Sequence, residues 1–426
     1  MVTGALLCPS EKNRRLPNNK AQAISRMKAL ASSLAKDEKK RQHYVEFMKK
    51  ILEKGLAKWV QDETTDTGEE VWYLPHFGVY HPQKPDKLRV VFDSSAVFAG
   101  VSLNDVLLSG PDLMNQLLGV LIRFREEPVA VTADIEQMFY AFKVREDHTR
   151  FLRFLWYKDN NPNAAIVTYC MTVHVFGNKP SPAVAISGLR KTGEEGEAEF
   201  GTDVKELIER NFYMDDLLKS SPTKEEAVDV LKRTKNLLST ANVRLHNFAS
   251  SNADVLAAFE PSELAPNLAE ADLSSRDKST IQRTLGVSWD LKADSFTFQI
   301  AEQNTSACTK RTVLSEVNGV FDPIGLAAPV IIKGKMLLRE MTQDGGGWDD
   351  PLPKDLLQDW VMWRKSLIAL TDVRVPRSFA PFPTTQAVRR ELHTFGDASN
   401  KAIGAVCYLR TVGVNGTQSS RHHTTP

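Results

Sequence analysis

Apolar residues recur at helical spacing near the start of the chain and switch to strand-like runs in its middle. Ile24, Met27, Leu30 and Leu34 follow Leu16-Pro17-Asn18-Asn19, which can cap a helix, and Val45, Met48, Ile51 and Leu52 form a second stripe that Gly55 can end. Two short amphipathic helices need a partner to bury their stripes, and the domain that follows is the expected one. Val71-Trp72-Tyr73-Leu74-Pro75-His76 leads through a polar loop to Lys87-Leu88-Arg89-Val90-Val91-Phe92-Asp93-Ser94-Ser95, a strand with a basic residue near its start. Residues 107–124 carry helical spacing at Leu113, Leu117 and Val120, and residues 151–156 and 165–169 read as a strand pair. The loop Val175-Phe176-Gly177-Asn178-Lys179-Pro180-Ser181-Pro182 then leads into a helix, with Ser181 as N-cap and an N-terminus friendly to anions. Residues 191–205, acidic and Gly-rich, read as a surface loop, and residues 411–426, polar and poor in apolar side chains, as disordered. A helix from Pro222-Thr223 carries Val228, Leu231, Leu237 and Leu238.

Two acidic stretches change this picture from architecture to chemistry. Asn211-Phe212-Tyr213-Met214-Asp215-Asp216-Leu217-Leu218 reads as strand, tight turn, strand, with two carboxylates at the turn. Val129-Ala130-Val131-Thr132-Ala133-Asp134 is a β-rich run ending in a third, and an α/β domain places metal ligands at such strand ends. Hard oxygen donors suit magnesium, and two such ions about 3.5–4 Å apart clamp the oxygens of a phosphoryl transfer. Most exposed Asp-Asp turns are merely solvated, and Trp348-Asp349-Asp350, in a Gly- and Pro-rich loop, receives no catalytic role. Arg89 can grip a triphosphate through its paired donors or pair with an acid such as Asp93. Phe176 and Lys179 either face a substrate pocket or belong to an ordinary helix entry.

At 426 residues the chain has room for roughly three domains. A hydrophobic share of 42% and a charged share of 25% are those of an ordinary soluble globular protein. No apolar run approaches the roughly eighteen residues of a membrane span, and Gly4-Ala5-Leu6-Leu7 is too short for a signal-peptide core. Cys8, Cys170, Cys308 and Cys407 form no Cys-x-x-Cys pair, which argues against zinc and disulfides and fits a reducing compartment. The net charge of +1 hides an asymmetry: residues 1–60 hold 14 Lys/Arg against 5 Asp/Glu. Such a basic segment suits a phosphate backbone or a solvated helical face equally.

Taken in order, Tyr73-Leu74-Pro75-His76, Lys87-Leu88-Arg89-Val90-Val91-Phe92-Asp93, Val101-Ser102-Leu103-Asn104-Asp105, Ala133-Asp134-Ile135-Glu136 and Tyr213-Met214-Asp215-Asp216 resemble the reverse transcriptase of the Bel-Pao family of long-terminal-repeat retrotransposons. Thr284-Leu285-Gly286-Val287-Ser288-Trp289-Asp290, Lys310-Arg311-Thr312-Val313-Leu314-Ser315-Glu316 and the run from Phe321-Asp322-Pro323-Ile324-Gly325-Leu326 are similar to the segment that family places before ribonuclease H.

The resemblance implies a right-hand polymerase of α+β and α/β character. Its parts would be a basic helical segment (1–70) packed on the fingers, fingers and palm (71–252), a thumb- or connection-like linker (253–385), and a truncated ribonuclease H start with a disordered tail (386–426). It also implies RNA-directed DNA polymerase activity, with Asp134, Asp215 and Asp216 as catalytic acids and ligands of two Mg2+ ions, or Mn2+. Arg89 matches the arginine on the incoming triphosphate, Phe139 the residue that excludes a 2′-hydroxyl, and Phe176, Gly177, Lys179 and Ser181 the loop at template and nucleotide. Partners would be a primed RNA or DNA template and deoxynucleoside triphosphates, with no membrane. The setting would be a cytoplasmic retroelement particle or the nucleus.

Three departures stand out. Asn247-Phe248 replaces a basic residue followed by Trp, and His81-Pro82 replaces a Lys or Arg before Pro. Glu391-Leu392-His393-Thr394-Phe395-Gly396-Asp397 resembles the first ribonuclease H strand, yet residues 398–426 contain no Asp or Glu, so ribonuclease H is expected to be absent. The chain is accordingly expected to be a polyprotein fragment, and the alternative is an impaired remnant that only binds nucleic acid or is inert.

Overall fold

The computed structural model describes residues 3–4, 16–61, 70–81, 84–266, 268, 281–300, 308–343 and 345–425. Two compact units interleave along the chain. One comprises residues 1–114, 136–201 and 236–244, the other residues 115–135, 202–235 and 245–426.

In the first unit the helices Lys20–Lys36 and Glu38–Glu53 bury Ala23, Met27, Leu30 and Leu34, and Tyr44, Met48 and Ile51. Ala23 rather than the exposed Ile24 begins the inward stripe. These faces share one core with Trp72, with Phe92 of the hairpin His76–His81/Lys84–Phe92, and with Phe154 and Trp156 of the sheet of Ala57–Trp59, Ile166–Met171 and Arg153–Tyr157. Tyr44 stacks on Trp156 at 5.2 Å and donates its hydroxyl to His76 Nδ1 at 2.5 Å. Burial pulls the His76 imidazole down to about 4, so the ring is neutral and Nε2 donates to the Leu155 carbonyl at 2.9 Å.

The second unit is built on an antiparallel sheet in the order Leu245–Ser250, Val129–Ile135, Asp216–Ser221, Phe212–Tyr213. Val120, Leu121 and Phe124 of the helix Leu117–Phe124 pack with Leu218, Trp289 and Phe296 in its core. A second core joins the helices Lys310–Gly319, Ala328–Gln343 and Lys354–Ile368. Gly334 is needed there, because a Cβ would lie 2.3 Å from the Trp363 ring. The chain continues into an antiparallel sheet of Ala387–Ala398, Ile403–Gly413 and Gln418–Thr425.

Three expectations are corrected. The helix foreseen over residues 107–124 begins only at Leu117, because Gly110, at φ +73, and Pro111 interrupt the pattern. Residues 191–205 are mostly helical, within Ser181–Phe200 and Thr202–Arg210. One of the glycines that suggested a loop is instead a point of close approach: a Cβ at Gly196 would meet Leu237 at 2.3 Å. Residues 411–425 form strands about an Asn415-Gly416 turn, where composition had suggested disorder.

Arg377, fully buried, ties the segment around Val375–Pro376 to the start of the central strand. Its guanidinium donates to both Asp294 oxygens at 2.8 and 2.9 Å and to the carbonyls of Phe124, Glu127 and Pro128. Arg125, also buried, lies 4.3 Å over the Phe379 ring and donates from Nε to the Arg377 carbonyl at 2.9 Å. Removing one partner of such a buried pair strands the others. Arg377→Ala is therefore expected to lower unfolding free energy in urea by about 3–5 kcal/mol, whereas Arg311→Ala, removing an exposed pair with Asp349, should leave it nearly unchanged. Equal effects of the two would contradict this.

Candidate functional site

The register of the second unit's sheet decides what stands beside what. Asp134, on the central strand, is directly opposite Asp216 on one neighbour and His246 on the other. Opposed residues of antiparallel strands share a face, with Cβ atoms about 4.5–5.5 Å apart. Asp216, Asp134 and His246 thus form one row across three strands. On the hairpin, Tyr213 pairs with Asp216, leaving Met214 and Asp215 as a two-residue turn. Met214 takes φ +53, the left-handed value such turns demand at their first position. The Ile135 N–H donates to the Asp215 carbonyl at 2.9 Å, tying the turn back to the central strand. Asn211 braces the hairpin by donating Nδ2 to the Leu218 carbonyl at 2.9 Å, and Asn115 donates to the Phe212 carbonyl at 2.8 Å.

Electrostatics follow from that register. Burial, then the charges of Asp215 and Asp134, push the Asp216 carboxyl up to about 7. His246 Nε2 lies 3.1 Å from Asp134 Oδ2. The sequence reading missed His246, since only strand pairing places it beside Asp134. Asn247 follows at a bulge, with φ +55, and Phe248 is buried and stacked on Phe259 at 4.1 Å. Among the described residues no three His, Cys, Asp or Glu side chains are gathered into a ready metal cage. The row's donor set, hard carboxylate oxygens burdened by mutual repulsion, nevertheless suits a hard divalent cation.

The other expected site residues belong to the first unit. Phe139 is buried and meets Phe176 edge to face at 4.6 Å, while Phe176 stays 54% exposed. Arg89 is exposed on the hairpin His76–His81/Lys84–Phe92, opposite Val79, and Lys179 is exposed on the loop. Gly177 takes φ +97, and a Cβ there would approach the Phe92 carbonyl oxygen at 3.1 Å. Ser181 is not the helix cap: it is the first helical residue, fully buried, and its hydroxyl donates to the Val175 carbonyl at 3.0 Å and accepts from His174 Nδ1 at 3.2 Å. Burial holds His174 down at about 4, so it is neutral. Pro82 and the side chains of His81 and Lys84 lie outside the described residues.

Residues 309–423 match the model of a Pao retrotransposon-like RNaseH-like domain. The expectation that ribonuclease H is absent is not sustained, since that domain match runs well beyond the single strand recognised in the sequence. No curated protein matches the chain. Among solved structures, one described as "the foamy viral protease-reverse transcriptase dRH in complex with ds DNA" is similar, with a TM-score of 0.55 at 14% identity, over 100% of this chain and 59% of that one. The chain thus spans 59% of the length of the protein it matches, and at this identity the likeness speaks for the fold. No described helix is long and apolar enough to cross a membrane.

Because its carboxyl binds a proton more tightly folded than unfolded, Asp216 stabilises the metal-free protein most below its ordinary value of 3.8. That contribution is lost as pH rises through about 7. Thermal melts in chelator from pH 4 to 8 should fall more steeply for wild type than for Asp216→Asn, and parallel curves would contradict the crowding of charge. From the comparisons, the fold is polymerase-like, and residues 309–423 are similar to a Pao retrotransposon-like RNaseH-like domain.

Proposed function

We propose that the chain is the reverse transcriptase portion of a Bel-Pao retrotransposon polyprotein, an RNA-directed DNA polymerase that transfers nucleotides to a primer 3′-hydroxyl. The observation that carries this reading is the register that opposes Asp134 and Asp216, with Asp215 in the adjoining turn. Asp134, Asp215 and Asp216 would hold Mg2+, or Mn2+. Two such ions, when bound, would neutralise the triphosphate and stabilise both the attacking and the leaving oxygen. His246 orients the Asp134 carboxylate from the side away from Asp216. Arg89 and Lys179 serve the triphosphate by charge, and Phe139 and Phe176 bound the sugar and base. Such a site works by positioning and charge neutralisation, with little covalent chemistry for the protein.

A second reading, a remnant that binds nucleic acid without turnover, is favoured by one observation: Asn247, at the bulge beside the row, offers no proton to a leaving pyrophosphate. Primer extension on an RNA template with Mg2+ decides between them. Wild type is expected to extend the primer, and Asp215→Asn to lose at least about a hundredfold in rate. Salt-sensitive binding of primer-template without extension would favour the remnant. Equal extension by Asp215→Asn would show that other residues do the chemistry.

A further inference from the structure

The motif Val101-Ser102-Leu103-Asn104-Asp105 has so far no task in the site, and its geometry points to one. Ser102 and Asp105 close a capping box around the single turn Leu103–Val106, which fixes the backbone from which Asn104 projects. Asn104 Nδ2 donates to the Gly177 carbonyl at 2.8 Å and to Ser95 Oγ at 3.0 Å, while its Oδ1 accepts the Lys179 N–H at 3.0 Å. One amide therefore holds the backbone on both sides of Asn178. The Asn104 N–H donates to the Ser94 carbonyl at 3.0 Å, and Ser94 Oγ in turn donates to Asn178 Oδ1. Ser94 and Asn104, from two stretches of sequence, both address the three residues 177–179, and Ser95 accepts the second Asn104 amide hydrogen. Gly177 needs such support, because its left-handed φ and its closeness to the Phe92 carbonyl leave few alternatives once Phe176 rests on Phe139.

We infer that Asn104 is a positioning residue: its side-chain amide fixes the Gly177–Lys179 backbone, and thereby the pose of Phe176 and Lys179 toward an incoming nucleotide. The nucleotide half rests on the polymerase reading above, whereas the clamp itself does not. The test compares wild type, Asn104→Ala and Asn104→Asp. Hydrogen exchange at the Lys179 amide should be slow in wild type and accelerate in Asn104→Ala. It should stay slow in Asn104→Asp, which keeps the acceptor but loses the donor to Gly177. In primer extension both variants should raise KM for deoxynucleoside triphosphate roughly tenfold, the scale of one or two lost hydrogen bonds, with a much smaller change in kcat. Circular-dichroism melts serve as the folding control, and Asn104→Asp keeps the experiment informative if Asn104→Ala unfolds. Unchanged Lys179 exchange in Asn104→Ala would overturn the clamp. A loss confined to kcat would overturn the link to nucleotide. Absence of extension by wild type would overturn the polymerase reading and the nucleotide half together, with the exchange measurement still deciding the clamp.

Discussion

Antiparallel pairing of the strand Val129–Ile135 with the hairpin strand Asp216–Ser221 is the constraint on which the rest depends. A shift of one residue would turn Asp134 to the opposite face and leave the turn acids without a partner. Several devices hold the register: the Ile135 to Asp215 backbone hydrogen bond, the Asn211 brace across the hairpin, and pairing with Leu245–Ser250 on the other side. What they hold together repels, as the raised Asp216 carboxyl shows. The sheet keeps like charges side by side because its apolar core, with Phe124, Leu218, Trp289 and Phe296, and the Arg377 clasp outweigh that repulsion.

The two units use different means of fixing a functional group. In the second, strand register does it, and the side chains follow from the pleat. In the first, a loop is fixed by polar side chains from two other segments, and a glycine supplies the one backbone conformation that fits. Loops carry chemistry only where a rigid scaffold positions them. Here a helical turn capped by Ser102 and Asp105 is part of that scaffold.

Much of this was legible in the chain because the signals were local. A tight turn between apolar runs announced the hairpin, although of the two aspartates expected at the turn only Asp215 lies in it and Asp216 opens the return strand, and spacing announced both N-terminal helices. What was not legible depended on partners far along the sequence. Gly196 looks like a helix breaker until Leu237 is seen against it. His246, beside the departing Asn247-Phe248 pair, gains its meaning only from lying opposite Asp134. Ser181 looked like a cap, yet its hydroxyl turns inward to His174 and Val175. The strands over residues 411–425 escaped a reading by composition, because backbone pairing needs few apolar side chains.

The account's central claim is that this row of carboxylates is built to hold a divalent cation. Titration of the purified protein with Mn2+, followed by the electron paramagnetic resonance signal of the free ion, tests it without any nucleotide or template. Wild type should take up the ion, and Asp134→Asn and Asp216→Asn should each weaken uptake while leaving the circular-dichroism spectrum intact. Wild type and both variants binding Mn2+ alike, or none of them binding it at all, would contradict the account.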